Sequence, residues 1–308
     1  MALPPTASLE ATLQQHLSPA VRKRVLLGTQ ALLSQVGFLK DNLGIAPSHR
    51  KHDNTRVTDA DVAISRALLG QLQSQFPQDH CLSEETHADY CLDLNSEFAW
   101  ILDPIDGTDN YAIGLPACAI SLGLLHEGVP IYGWVYDLAR DRLVQGGQGV
   151  GVWDADTLVP PRSSLAQHHS SSADWTVAIH GPLPTEAMPH LSPILHSSHL
   201  RSLGSAALHL AYMALGKWDG YIDFKLKVWD IAAGYCLIRA NQMPFHFITE
   251  SVFPLRRFQV NHSPLGLYTG TPEFCATLKN MRLPLKLSSN ETEPIPLAMT
   301  AEPAGKHA

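Results

Sequence analysis

The string that most constrains this chain is WILDPIDGTDNYAIGLP, residues 100–116, in which an apolar run, Trp100-Ile101-Leu102, drives straight into Asp103 and Asp106. Such a run reads as a strand entering the core, and it delivers two carboxylates to one place. Two unit charges held at about 4 Å with an effective dielectric near 20 repel by about 4 kcal/mol. A fold built around this string must therefore bring positive charge to it. Spacing separates the chemistries that put aspartates after a strand. An aspartyl nucleophile of the D-x-D-G-T type needs an acid two residues before Asp106, where Pro104 stands. A calcium loop starting at Asp103 needs a glutamate at its twelfth position, where Gly114 stands. What remains is a turn carrying hard oxygen donors. Pro104 lacks an N–H and fixes φ, so the turn can aim the Ile105 carbonyl alongside the carboxylates of Asp103 and Asp106, a donor set suited to Mg²⁺. Gly107 lets a phosphate approach the backbone, and a helix starting there would turn the N–H groups of Gly107 and Thr108 toward anionic oxygens. The Thr108 hydroxyl can hold a water.

The chain as a whole does not supply the missing charge. It carries 22 Lys and Arg against 29 Asp and Glu, a net charge of -7, and no basic run longer than the three residues Arg22-Lys23-Arg24. That leaves little electrostatic footprint for a polymeric nucleic acid, so none is expected as partner, and leaves room for a small anionic ligand reached through metal ions. With 308 residues and 45% hydrophobic content, the chain can bury one large core or two joined edge to edge. The five cysteines (Cys81, Cys91, Cys118, Cys236, Cys275) include no C-x-x-C pair and read as reduced thiols. The opening MALPPTASLEATLQQHL lacks the basic and then apolar pattern of a secretory signal, and no apolar stretch is long enough to span a bilayer. The expectation is a cytoplasmic protein that makes no use of a membrane.

Apolar positions at helical spacing from Leu9 to Leu39 predict one or two amphipathic helices. Thr58 is placed to cap a further helix from Asp59 to Phe76, with Asp59 and Asp61 in its first turn and Pro77 ending it. Asp53 reads as a turn residue. HCLSEE and FAWILD are strands, and residues 118–153 read as an antiparallel meander broken at Glu127-Gly128, Asp137 to Asp141 and a glycine-rich turn. A Ser/Pro/His-rich connection at 154–175 divides the chain. Beyond it come a strand (WTVAIHG), a helix leading to a strand (SAALHLAYMALGKWDGYIDF), a helix (VWDIAAGYCLIRANQM) and a strand (FHFITE). The division expected is an N-terminal α+β half at 1–155, a C-terminal α/β half at 175–283 and a flexible tail at 284–308.

Residues 100–111 resemble the first signature of the inositol monophosphatase superfamily, W-I-[IL]-D-P-[IL]-D-G-T-x-N-[FY], and WDIAAG at 229–234 is similar to its second. SEET around Glu84-Glu85, KHDNTRVTDAD at 51–61 and the GSAA helix also look like family segments, so the resemblance covers about residues 20–245. It implies a layered α/β fold alternating α-β-α-β-α, and a Mg²⁺-dependent, lithium-sensitive hydrolase of phosphate monoesters. By position, Glu84, Asp103 and the Ile105 carbonyl would hold a first metal. Asp103, Asp106 and Asp230 would hold a second, and Asp61 a weaker third through waters. The cofactor expected is thus two to three Mg²⁺, with Mn²⁺ as the alternative. Glu84 and Thr108 would activate the attacking water, and Lys51 would stand near the metals and phosphate. Gly107, Thr108, Asp106, Asp230, Ala206 and Asp223 would line the substrate, Asp223 by contacting its hydroxyls.

Glu85 follows Glu84, and alternation along a strand would point it to the opposite face. The sixteen histidines form no metal-binding pattern and read as solvated. The chain departs from the family at Arg56, where a proline is common, at Lys225, where glycine is common, and at RANQMPFHF, where an E-A-G-G turn is usual. Lys225 with Lys227 makes the substrate rim more basic. Metal chemistry is left intact and substrate choice is opened. The preferred substrate is an inositol or similar polyol phosphate; histidinol phosphate, fructose 1,6-bisphosphate and 3'-phosphoadenosine 5'-phosphate are the alternatives. A non-catalytic binder of phosphorylated metabolites is the rival from another class. A homodimer is expected, paired through the apolar meander.

Overall fold

The computed structural model describes residues 7–51, 55–161, 172–181 and 183–281. Asp53, the middle of the 154–175 connection and the 284–308 tail lie outside these. In chain order the first elements are α1 (Ala7–His16), α2 (Pro19–Leu33), α3 (Val36–Asp41), β1 (Ser48–Arg50), β2 (Arg56–Thr58), α4 (Asp59–Gln75), β3 (His80–Ser83), β4 (Cys91–Asp93), β5 (Phe98–Asp106) and α5 (Thr108–Ala112). The meander follows as β6 (Ala119–His126), β7 (Val129–Asp137), β8 (Arg142–Gly147), β9 (Gly151–Asp154) and β10 (Thr157–Val159). The remainder is β11 (Thr176–Ile179), α6 (Met188–Ser197), β12 (His199–Arg201), α7 (Ala206–Ala214), β13 (Gly220–Leu226), α8 (Val228–Ala240), β14 (Phe245–Phe247), β15 (Arg257–Gln259), β16 (Leu265–Gly270) and α9 (Pro272–Asn280).

A seven-stranded sheet, ordered β10-β9-β8-β7-β6-β5-β3, is antiparallel except where β3 runs parallel to β5. A five-stranded sheet, ordered β12-β11-β13-β16-β14, is parallel across β12-β11-β13 and antiparallel beyond. Five layers result. Residues of α1, α2 and α4 pack on one face of the larger sheet around Trp100 and Trp134. Helices α7 and α8 fill the space between the sheets, and α6 and α9 close the outer face of the smaller one. This is the α-β-α-β-α order expected, and it follows from sheets that are apolar on both faces and so need helices on both.

The region from Leu9 to Leu39 breaks into three helices, because Ser18 caps a new start at Pro19 and Ser34-Gln35 interrupt the next. Within the meander β6, β7 and β8 are buried almost throughout by helices of the same chain, while the edge strand β10 leaves Leu158 exposed. Helix α8 lies directly on this sheet because Gly133 leaves room for it; a Cβ there would come within 2.3 Å of the Ala233 carbonyl oxygen. That close approach carries the start of α8, and Asp230 with it, to the end of β5.

Candidate active site

Strand β5 is buried along its whole length and ends in the acids. Its register against β6 shifts between Asp103 and Asp106, where Pro104 cannot join the ladder. The irregularity lets Asp103 and Asp106, separated by two residues, turn toward the same space. Gly107 follows at φ 95°, a left-handed conformation, and a Cβ there would meet the Ala117 carbonyl oxygen at 3.0 Å. Helix α5 begins at the next residue, as the motif requires. Asn110 then ties the turn to the other half of the molecule, donating to the carbonyls of Ala117 at 2.8 Å and Leu203 at 2.6 Å.

Carboxylate oxygens of Asp103, Asp106 and Asp230 lie within 4.8 Å of one another. Burial and the neighbouring charges of Glu84, Asp106, Asp230 and Asp61 push Asp103 well above the usual carboxylate range. Asp230 is likewise held well above it, by burial and by Asp106. Asp106 is pushed up to about 6 by burial, against the opposing effect of donors from the start of α7. Those donors are the Ser205 hydroxyl, 2.8 Å from Asp106 Oδ2, and the Ala207 N–H. Asp230 sits in the first turn of α8 and accepts from the Lys227 N–H at 2.7 Å. Buried oxygens that crowd one another with so few donors are the hard, anionic set that a divalent cation fits.

The other expected residues surround this group. Asp61 is fully buried and caps its own helix: Oδ2 accepts from the Thr58 N–H at 2.7 Å and hydroxyl at 2.5 Å, while Oδ1 faces the Thr108 hydroxyl at 3.3 Å. Burial raises it to about 6. The Thr108 hydroxyl also lies 2.9 Å from the Ile105 carbonyl oxygen. Strand β3 stops at Ser83, so Glu84 and Glu85 occupy a turn and strand alternation does not apply to them. Instead both face Lys51, whose Nζ lies 2.8 Å from an Oε1 of each. Burial would lower the Lys51 ammonium, but the pull of Glu84 and Glu85 outweighs it and raises the group. Burial and Glu84 bring Glu85 up to about 7.

Ala206 opens α7, buried beside the Ser205 and Ala207 donors. Lys225 is exposed on β13, and Lys227 Nζ donates to the His262 carbonyl. Asp223 is enclosed, 1% exposed, with donors on both oxygens. Reading the histidines as solvated fails at three of them. His209 is fully buried, and its Nε2 accepts from the Leu203 N–H at 2.8 Å. His262 Nε2 accepts from the Val228 N–H at 3.1 Å, and His180 pairs with Asp223. Ser205 also went unread as a site residue, although a serine before an apolar helix is a visible cap.

The inositol monophosphatase family model matches residues 19–242. An inositol-1-monophosphatase of Bacillus subtilis is 31% identical over 231 residues, 74% of this chain and 84% of that protein. A Nus factor SuhB of Pasteurella multocida is 33% identical over 198 residues, 61% of this chain and 70% of its own length. A solved IMPase/NADP phosphatase complexed with Mg²⁺ and phosphate superposes with a TM-score of 0.66 at 20% identity, over 84% of this chain and 95% of that one. The chain belongs to the inositol monophosphatase family.

Proposed function

We propose that this protein is a divalent-metal-dependent hydrolase of phosphate monoesters, with a small polyol phosphate such as inositol monophosphate as substrate. The observation that carries the reading is the group of three carboxylates, Asp103 and Asp106 buried and Asp230 half-buried, whose oxygens lie within 4.8 Å of one another. Asp103, Asp106 and Asp230 would hold one Mg²⁺, and Glu84, Asp103 and the Ile105 carbonyl another. When bound, the ions neutralise the carboxylates, polarise the phosphate and lower the pKa of a coordinated water. The chain's own groups orient the partners. Thr108 and Glu84 flank the place for the attacking water, with Asp61 fixing the Thr108 hydroxyl. Ser205 and the Ala207 N–H hold the Asp106 carboxylate in one rotamer. Lys51 holds Glu84 and Glu85 together.

The test is release of inorganic phosphate from inositol 1-phosphate, histidinol phosphate, fructose 1,6-bisphosphate and 3'-phosphoadenosine 5'-phosphate, with Mg²⁺ or Mn²⁺ and then with Li⁺. Metal-dependent, lithium-inhibited turnover, fastest on the inositol ester, is expected. Metal binding without turnover on any ester would overturn the reading in favour of a binding protein.

A further inference from the structure

The family resemblance implies that Asp223 contacts the substrate's hydroxyls, but its carboxylate is already engaged. Oδ2 accepts from the Tyr221 hydroxyl at 2.7 Å, Oδ1 accepts from the Lys225 N–H at 2.9 Å, and the residue is 1% exposed. The group standing in front of it is His180. Strand β11 runs parallel to β13 with Ile179 opposite Ile222, which sets the next residues, His180 and Asp223, side by side. His180 Nδ1 lies 3.4 Å from Asp223 Oδ2, and the side chains are 38% and 2% exposed respectively. The His209 ring, 6.0 Å away and nearly perpendicular, backs the imidazole. A carboxylate at Nδ1 fixes the ring and its tautomer and leaves Nε2 as the outward atom. Among the described residues, Nε2 has no hydrogen-bond partner. His209 belongs to α7, the helix whose start supplies the Ser205 hydroxyl and the Ala207 N–H to Asp106, so His180 stands beside the candidate metal group from the side of the smaller sheet.

We propose that His180 takes the alcohol half of the substrate, its Nε2 hydrogen-bonding a hydroxyl of the polyol while Asp223 holds the ring through Nδ1. This rests on the phosphatase reading above. Asp223 is then a positioning residue that acts through His180. With Nδ1–H turned to the carboxylate, Nε2 is left for the hydroxyl, accepting from it when the ring is neutral and donating to it when the ring is protonated.

The experiment compares His180→Ala and His180→Gln with the unaltered protein on two Mg²⁺-supported substrates: inositol 1-phosphate, and phenyl phosphate, which offers no hydroxyl. His180→Ala should raise KM for inositol 1-phosphate about five- to tenfold. His180→Gln, which keeps a polar group at the same place, should recover part of that, and phenyl phosphate hydrolysis should change less than about twofold. Equal losses on both esters, or no loss on either, would overturn the assignment. If the unaltered protein hydrolyses neither ester, the phosphatase reading falls by that result alone. The His180 ring nitrogen resonances then decide the inference separately during titration with inositol 1-phosphate in Mg²⁺. A shift of Nε2 supports the contact, and an unmoved resonance overturns it.

Discussion

The two ends of the β3-β5 strand pair bury acids in opposite ways. At the entry to β3, Asp79 meets Arg24 through two bonds, Nε to Oδ2 at 2.8 Å and Nη2 to Oδ1 at 2.7 Å, and also accepts from the Trp100 indole at 2.9 Å. At the exit of β5, Asp103 has the Ile105 N–H at 3.1 Å and is otherwise surrounded by acids. Asp79 is 4% exposed and Asp103 2%, so burial does not separate them. Partners do. A buried carboxylate that the chain satisfies is a staple, while one faced mainly by other carboxylates is a demand for a cation from outside. The exit end of β5 also adjoins the start of α7, whose Ser205 hydroxyl and Ala207 N–H reach Asp106.

Asp103→Asn draws the sharpest line. Phosphate release should fall by about a thousandfold or more, because a shared ligand is lost. The metal-free protein should melt no lower than before, because a repelling charge goes with it. A lower melting temperature in chelator would break the comparison, by making Asp103 a staple after all. Asp79→Ala should do the reverse, costing about 3 kcal/mol of stability by leaving the half-buried Arg24 guanidinium and the buried Trp100 indole N–H without their acceptor. Turnover per folded molecule should hold within about twofold of the unaltered rate by the same logic. Denaturant unfolding read beside activity at a fixed folded fraction checks both halves of that statement.

Acidity gives the next, smaller effect. Asp61 and Asp106 are held near about 6 in the fold against an ordinary value of 3.8, and Glu85 near about 7 against 4.5. Between the ordinary and the raised values the folded state binds more protons than the unfolded one. Stability of the metal-free protein should therefore fall as pH rises from about 4 to about 7. Mg²⁺ competes with those protons, so the melting increment it confers should grow over the same window and shrink below about pH 5. Melting curves with and without Mg²⁺ across that range test it. A flat metal-free profile would show that these acids are neutralised by the chain itself.

What could be read in the sequence were local patterns with strong physical causes. The Trp100-Ile101-Leu102 run, the Thr58 cap, the α8 helix and the D-P-I-D-G-T turn all declare themselves within a few residues. Features made by distant pairing do not. Strand β4 is three residues long and pairs with β15, with Cys91 opposite Gln259, a match that no local period announces. Helix α6 carries Pro193 in its interior, which masks its helical period. Glu85 was misplaced because β3 ended one residue before Glu84. His180 was overlooked because its meaning lies in the register of β11 against β13, and a lone histidine at a strand end carries no signal of its own.

Arg56 supplies the case in which neither kind of burial applies. Its Nε lies 2.7 Å from Asp109 Oδ1 and its Nη1 2.9 Å from Ser48 Oγ, bridging the β1-β2 hairpin to α5. Asp109 is 73% exposed, so water screens both the attraction and any cost of losing it. Arg56→Ala should shift stability by less than about 1 kcal/mol, and the small shift that remains should fade further as salt is added. Because the same hairpin leads to Lys51, the variant also asks whether the pair steadies Lys51 over Glu84 and Glu85. Turnover reduced less than about threefold is the expected answer, since an ion pair of that strength can bias the hairpin only weakly. A larger loss would mean that the exposed pair orders the hairpin as firmly as Arg24 orders Asp79, and exposure would then no longer divide strong acid contacts from weak ones in this molecule.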